Sequence, residues 1–236
     1  APSTSLAVAQ AVLRAGDGSL PDLVGVGRSS PAFLLPTSRH VAASLCRSYN
    51  GLRPVRRRWQ RTGVAVAMRA GAGSVVSSRP ADQGFALEGM PTDGSLLDEL
   101  SRLIGTRVHA GVGLGVLDAY WKPVLQLFDG SGEPVGFAKV GWTPMTRRLV
   151  DTEWRVLEHL SGRLRAPLVP APLVRTGWGP LDVVVTAPLP LDTVRLDDDR
   201  TADLPEGMTG LDGRSSADLG ELAWWHEVRS AVAEAV

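Results

Sequence analysis

The sequence predicts an α+β fold built around an antiparallel sheet, with one helix packed against that sheet. The first observation is the order of elements in residues 107–190, which reads strand, turn, strand, turn, strand, helix, strand, strand. The second is the turn DGSG at 129–132, whose glycines suit the tight hairpin that joins neighbouring antiparallel strands. The third is the segment 145–160, where apolar side chains recur at the spacing of a helix. This order places the helix between the third and fourth strands.

The residues before this sheet are predicted to be rich in helix. Residues 4–15 and 38–49 have helical apolar spacing, and the segments LVGVG and PAFLLP between them are expected to form a β-hairpin. A third helix is predicted over 53–70, with one basic face. The arginines of this segment are Arg53, Arg56, Arg57, Arg58, Arg61 and Arg69.

A better-defined helix is predicted over 93–105, because its end signals are complete. Ser95 is its N-cap, Asp98 completes a capping box, and Gly105 ends it. The glycine- and serine-rich stretch before this helix is the predicted domain boundary. We therefore expect an N-terminal extension at 1–92, a lobe at 93–190, and an acidic linker at 191–236 that leads into a helix from about residue 216.

Composition limits the classes of function. The chain has 25 basic and 25 acidic residues, and this lack of net charge counts against a nucleic-acid-binding domain. No uncharged apolar run reaches about 18 residues, so no membrane-spanning helix is predicted. The single cysteine, Cys46, excludes an internal disulfide and fits a reducing compartment. We therefore expect a cytoplasmic protein.

The most informative residue is a lysine inside an apolar strand. Only two of the 25 basic residues are lysine, and one of them, Lys139, lies in VGFAKV. Lysine is a point charge on a slim stem, whereas arginine is a broad planar fork. Phe137 and Lys139 share one face of the strand, because strand side chains alternate. Glu153 lies on an otherwise apolar helix stripe, where an acid is costly unless paired, so we predict that it pairs with Lys139.

These features resemble the protein-kinase-like fold, and most closely its aminoglycoside phosphotransferase and choline-kinase branch. GFAKVGW resembles the strand that carries the ATP-binding lysine of that fold, and RRLVDTEWRVLEHL resembles the helix with its glutamate partner. GVGLG falls where the phosphate-covering loop lies, although it departs from the G-x-G-x-x-G pattern. VVVTAPLP resembles the strand that enters the hinge between the two lobes.

The resemblance implies an ATP-binding N-terminal lobe with one helix paired to its lysine strand. Lys139 would hold the α- and β-phosphates, Glu153 would orient Lys139, the loop 111–117 would cover the phosphates, and residues 186–189 would hold adenine. Mg²⁺ would be required, with ligands outside this chain. The residues implied for nucleotide binding are Lys139, Glu153, Phe137, Gly111, Gly113, Gly115, Thr186, Ala187 and Leu189.

Two motifs of the family are absent from the sequence. None of the four histidines is followed by Gly-Asp or Arg-Asp, so the H-G-D-x-x-x-x-N motif and the metal-binding aspartate after it are missing. In that fold both follow the hinge, and this chain ends about one helix beyond it. We therefore expect a truncated protein, inactive alone, whose catalytic lobe would transfer phosphate to a hydroxyl of a small molecule. The surface facing that lobe would favour self-association.

Other interpretations of the same residues stay open. Lys139 could be a surface lysine on an edge strand, Glu153 could pair with Arg147 or Arg148, and the glycines could mark only a bulge. The alternative function is a catalytically inactive kinase-like regulatory or protein-binding module. In that case the Arg-rich helix at 53–70 would contact a partner or a polyanion.

Overall fold

A computed structural model describes residues 4–26, 31–48, 55–73, 77–161, 169–190 and 229–230. These residues contain five helices of known bounds: α1 Ser5–Leu13, α2 Arg39–Arg47, α3 Val55–Arg69, α4 Leu96–Ile104 and α5 Pro144–Leu160. They also contain eight strands: β1 Leu23–Val26, β2 Phe33–Pro36, β3 Ser77–Ser78, β4 His109–Gly113, β5 Val124–Phe128, β6 Pro134–Gly141, β7 Pro172–Trp178 and β8 Leu181–Thr186. The predicted linker and final helix at 191–236 lie outside the described residues, apart from 229–230.

All eight strands form one antiparallel sheet in the order β3-β1-β2-β4-β5-β6-β8-β7. The mixed α and β content and the antiparallel sheet agree with the predicted fold class. The predicted hairpin of β1 and β2 is present, with Leu23 opposite Pro36. β2 also pairs with β4, so strands from both sides of the predicted boundary at 92/93 share the sheet. The short strand β3 lies in the glycine- and serine-rich stretch that is the predicted domain boundary.

Local signals at the helix ends agree well with the sequence. The Ser95 side chain accepts a hydrogen bond from the Asp98 amide, and Gly105 ends α4 with a φ of 82° in the left-handed region that favours glycine. The predicted capping box is not complete, because the Asp98 carboxylate accepts its hydrogen bond from the Ser95 hydroxyl and not from the Ser95 amide. Thr143 caps α5 in a capping box with Thr146. Ser38 occupies the N-cap position of α2, but its side chain makes no capping hydrogen bond.

The first face of the sheet is covered by α1 and α4. Its core is continuous from one end of the sheet to the other and includes side chains that are fully removed from water. Among them are Val8, Leu34, Leu96, Leu100, Leu125, Leu127, Ala138, Val140, Val183 and Val185. This face supplies most of the apolar burial that holds the sheet and the two helices together.

The second face is covered in two separate parts. At one end, α2 packs over β2, β4 and β5, and α3 packs on α2, around a smaller core that contains Leu45, Cys46 and Phe128. At the other end, α5 packs over β6 and β8. Arg61, from the predicted basic face of α3, donates hydrogen bonds to the carbonyls of Cys46 and Leu45 at 2.9 Å each. Arg61 therefore satisfies carbonyls at the end of α2, a structural role within this second core.

Candidate functional site

Strand β6 lies inside the sheet, between β5 and β8, and its two faces have different chemistry. Ala138 and Val140 point into the core of the first face and are fully buried. By alternation, Phe137, Lys139 and Gly141 point to the second face. The position inside the sheet argues against the interpretation of Lys139 as a surface lysine on an edge strand.

Lys139 and Glu153 form a direct ion pair. The Lys139 ammonium donates a hydrogen bond to the Glu153 carboxylate across the interface between β6 and α5. The two side chains are 29% and 26% exposed, so the pair is accessible to a ligand while being shielded by the helix. The competing interpretation for Glu153 fails for Arg147, because Arg147 pairs with Asp182 at 2.8 Å.

Close packing of α5 on β6 explains why the helix can deliver Glu153 to Lys139. A side chain at Gly141 would place its Cβ 2.6 Å from the Cα of Arg147, in the first turn of α5. Only glycine therefore allows the helix to approach the strand this closely at that point. Val150 is also buried against the sheet, one turn before Glu153. The end of β6 and the start of α5 thus form one rigid unit that fixes the ion pair.

Thr186 lies beside Phe137 on the same face. The two residues are paired in the register of β6 and β8, and Thr186 is almost fully buried. Lys139 is paired with Val184 one step further along. The structure therefore brings four of the implied residues, Phe137, Lys139, Glu153 and Thr186, to one part of the second face.

The three implied glycines are not brought together in one loop. Gly111 and Gly113 lie within β4, and only Gly115 belongs to the connection 114–123. None of the three has a positive φ. The expectation of a loop that begins at residue 111 is therefore wrong, because strand pairing with β5 and β2 continues through these residues.

Packing explains why residue 111 is glycine, and the sequence alone does not reveal this. A Cβ at this position would lie 2.2 Å from Leu45 Cδ1, so α2 sits directly over Gly111. This contact makes Gly111 part of the second core and covers the position where a phosphate contact was implied. Gly113 has more room, since a Cβ there would lie 3.8 Å from Phe33.

The connection between β4 and β5 is anchored at both ends. The Ser5 hydroxyl donates a hydrogen bond to the Gly115 carbonyl at 2.7 Å, and the Trp142 indole donates one to the Trp121 carbonyl at 3.0 Å. Its tip is open to solvent, and Val116 is 85% exposed. The connection is thus a fixed loop with a projecting tip, at the end of β5 that lies beside Lys139.

The segment after β8 leaves the sheet at the implied hinge. The Ala187 amide donates a hydrogen bond to the Ala171 carbonyl at 2.7 Å. This bond joins the start of the segment to the residue just before β7. Ala187 is half-buried and Leu189 is exposed. The implied adenine contacts thus begin directly after the buried Thr186.

The two best-formed pockets in the described part of the chain lie away from Lys139. Their volumes are about 230 and 280 Å³, below the roughly 300–1,000 Å³ of most ligand pockets. Neither is lined by Lys139. Within the same residues, no three His, Cys, Asp or Glu side chains lie close enough to hold a metal ion. The Lys139–Glu153 ion pair therefore lies on a part of the second face that neither of these pockets includes.

Comparison with protein-family models, with curated proteins and with solved structures found no match for this chain. None of the helices within the described residues is long and apolar enough to cross a membrane. The function proposed below therefore depends on the residues of the second face, and above all on the Lys139–Glu153 ion pair.

Proposed function

We propose that this chain is the ATP-binding part of an ATP-dependent small-molecule phosphotransferase, similar to the aminoglycoside phosphotransferases. The observation that carries the proposal is the ion pair between Lys139 on the third strand of a β-meander and Glu153 on the following helix. Protein kinases use a lysine on their third strand, paired with a helix glutamate, to hold nucleotide phosphates. A partly exposed lysine held by one carboxylate keeps amine hydrogens for a second anion.

The neighbouring residues support a nucleotide as that anion. Phe137 lies two residues before Lys139 on the same face of the strand, about 7 Å away. Thr186 is paired with Phe137. An aromatic ring beside a buried hydroxyl suits a flat heterocyclic base. With the base at Phe137, the distance along the strand would place the phosphates near Lys139. The segment 187–189 adds backbone groups at the base end. The donor set on this face therefore fits ATP.

The residues of this chain would bind and orient the nucleotide. Lys139 would neutralise charge on the α- and β-phosphates, and Glu153 would hold the ammonium in position for that contact. Mg²⁺ would supply positive charge that stabilises the phosphates, and its protein ligands are expected outside this chain. The binding site for the acceptor and the catalytic aspartate would lie in a second lobe, which would also cover the Lys139 face.

Calorimetric titration with MgATP tests this proposal, both on the 236-residue chain and on the full-length protein. We expect Lys139→Ala to weaken binding about tenfold or more, because a charge-assisted phosphate contact is lost. Glu153→Gln should weaken it less, and the exposed Glu158→Gln on the same helix serves as the matched control. Absence of MgATP binding to the folded full-length protein, or equal affinity of Lys139→Ala, would refute the proposal.

The surface of α3 favours a second candidate function, a non-enzymatic binding module. Trp59 is 74% exposed there, and the neighbouring Arg56 and Arg58 are exposed as well. An exposed aromatic side chain beside cations suits a polyanionic or acidic partner. Binding to heparin that is lost in Trp59→Ala, together with no affinity for MgATP, would favour this module over the phosphotransferase.

A further inference from the structure

The second lysine of the chain, Lys122, lies just before β5, the strand that pairs with the Lys139 strand. It is in the connection 114–123, two residues before the start of β5. The Pro123 carbonyl accepts a hydrogen bond from the Val140 amide at 3.0 Å, so the pairing of β5 with β6 continues one residue beyond Val124. Pro123 is buried in the first face. By alternation, Lys122 lies on the second face, diagonal to Lys139.

Lys122 has an unbalanced charge among the described residues. It is partly buried, yet it makes no hydrogen bond or ion pair with any of them. The acids that α5 and β8 bring to this face are already paired with other cations. These pairs are Glu153 with Lys139, Asp182 with Arg147 and Asp151 with Arg155. The Lys122 ammonium is not among the buried side-chain atoms that lack a partner, so its donors are open to solvent and to an anionic ligand.

The register of the strands gives the two lysines an order along the face. Thr186 is opposite Phe137, and Val124 is opposite Lys139. Continuing the same register places Lys122 opposite Gly141. From Phe137 to Gly141 the strand rises about 13 Å, with Lys139 in the middle. If the base lies at Phe137, Lys122 is at the far end of the phosphate chain.

We propose that Lys122 binds the terminal phosphates of the nucleotide, while Lys139 binds the phosphates nearer the ribose. This inference rests on the proposed function, because it takes the base to lie beside Phe137. It predicts that the site selects nucleoside di- and triphosphates over monophosphates. The preference for lysine over arginine at these two positions then has one cause, since both bind phosphate as point charges in a narrow space.

Affinities for MgATP, MgADP and AMP, measured by calorimetry on the full-length protein and its variants, test the assignment. Lys122→Gln should weaken MgATP and MgADP binding about tenfold and leave AMP within about twofold, whereas Lys139→Gln should weaken all three. Lys122→Arg should recover part of the lost affinity. Arg107→Gln, an exposed cation just before β4, is the control. Circular dichroism checks that each variant is folded.

The outcomes separate this inference from the proposed function. Unchanged MgATP affinity in Lys122→Gln, with a loss in Lys139→Gln, would overturn the role of Lys122 and leave the ATP-binding proposal standing. Equal weakening of ATP and AMP by Lys122→Gln would also overturn it, because the contact would not be with the terminal phosphates. No binding of MgATP by the folded wild type would overturn both.

Discussion

The two faces of the eight-stranded sheet are built differently. The first face has one continuous apolar core beneath α1 and α4, and the side chains at its centre, such as Leu125 and Val140, are fully buried. The second face has two separate covers, α2–α3 and α5, and ion pairs line the second of them. From this difference we infer that the first face contributes most of the stability of the fold, and we propose the second face as the place for a charged ligand.

The largest effect should come from truncation on the first face. Leu125→Ala removes a fully buried side chain, and we expect a loss of about 2–5 kcal/mol in the free energy of unfolding. Val124→Ala changes the next residue of the same strand, which faces the other side and is only partly buried. Urea unfolding compares the two variants. A loss for Val124→Ala as large as that for Leu125→Ala would contradict the division between the faces.

The next largest effect on stability should come from a substitution at the point where α5 packs on the second face. Gly141→Ala would bring a methyl group 2.6 Å from the Cα of Arg147, so the helix must shift. We expect a loss of about 1–3 kcal/mol in the free energy of unfolding and weaker MgATP binding, because Glu153 moves with the helix. Gly130→Ala is the control, since a Cβ there meets nothing within 4 Å. Equal stability of both variants would mean that α5 is not held by this contact.

A smaller effect is expected from the ion pair itself. Because Lys139 and Glu153 are both partly exposed, a double-mutant cycle of Lys139→Met and Glu153→Gln should give a coupling of only about 1 kcal/mol in unfolding. Ligand binding should respond much more strongly than stability. A coupling of several kcal/mol with no effect on MgATP affinity would mean that the pair stabilises the fold and has no role in ligand binding.

Much of the local structure could be predicted from the sequence. The cap of α4 was predictable because Ser95, Asp98 and Gly105 lie within one helix and act through neighbouring backbone groups. The Lys139–Glu153 contact was predictable because the period of the strand and the period of the helix each fix one partner. Such signals need no knowledge of distant parts of the chain.

Contacts between distant segments could not be predicted in the same way. The pairing of β2 with β4 joins residues about 80 positions apart, and nothing in either segment specifies the partner. The position of Leu45 over Gly111 depends on that pairing, so a glycine that packs against a helix was interpreted as part of a phosphate loop. The two-residue strand β3, Ser77–Ser78, exists only because β1 lies beside it.

The smallest effect on stability at neutral pH should come from the ionisation of Cys46, which lies in the core between α2, α3 and the second face. Burial raises the pKa of the Cys46 thiol from 9.0 to about 11. The folded protein therefore keeps its proton at a pH where the unfolded chain has lost it, so stability falls as the pH rises from about 9 to about 11. Urea midpoints of wild type and Cys46→Ala should converge over this range and differ by a constant amount below it. A constant difference at every pH would contradict the burial of this thiol.

Labelling with an acyl-phosphate derivative of ATP tests the central claim most directly. This reagent acylates a lysine amine close to the bound phosphates and releases ATP, and the chain has only two lysines. Peptide mass spectrometry of the labelled protein should find the acyl group on Lys122 or Lys139, with labelling suppressed by excess MgATP and reduced in Gly141→Ala. Labelling of these lysines that MgATP does not suppress, or no labelling of either in the folded protein, would contradict the assignment of the second face as a nucleotide site.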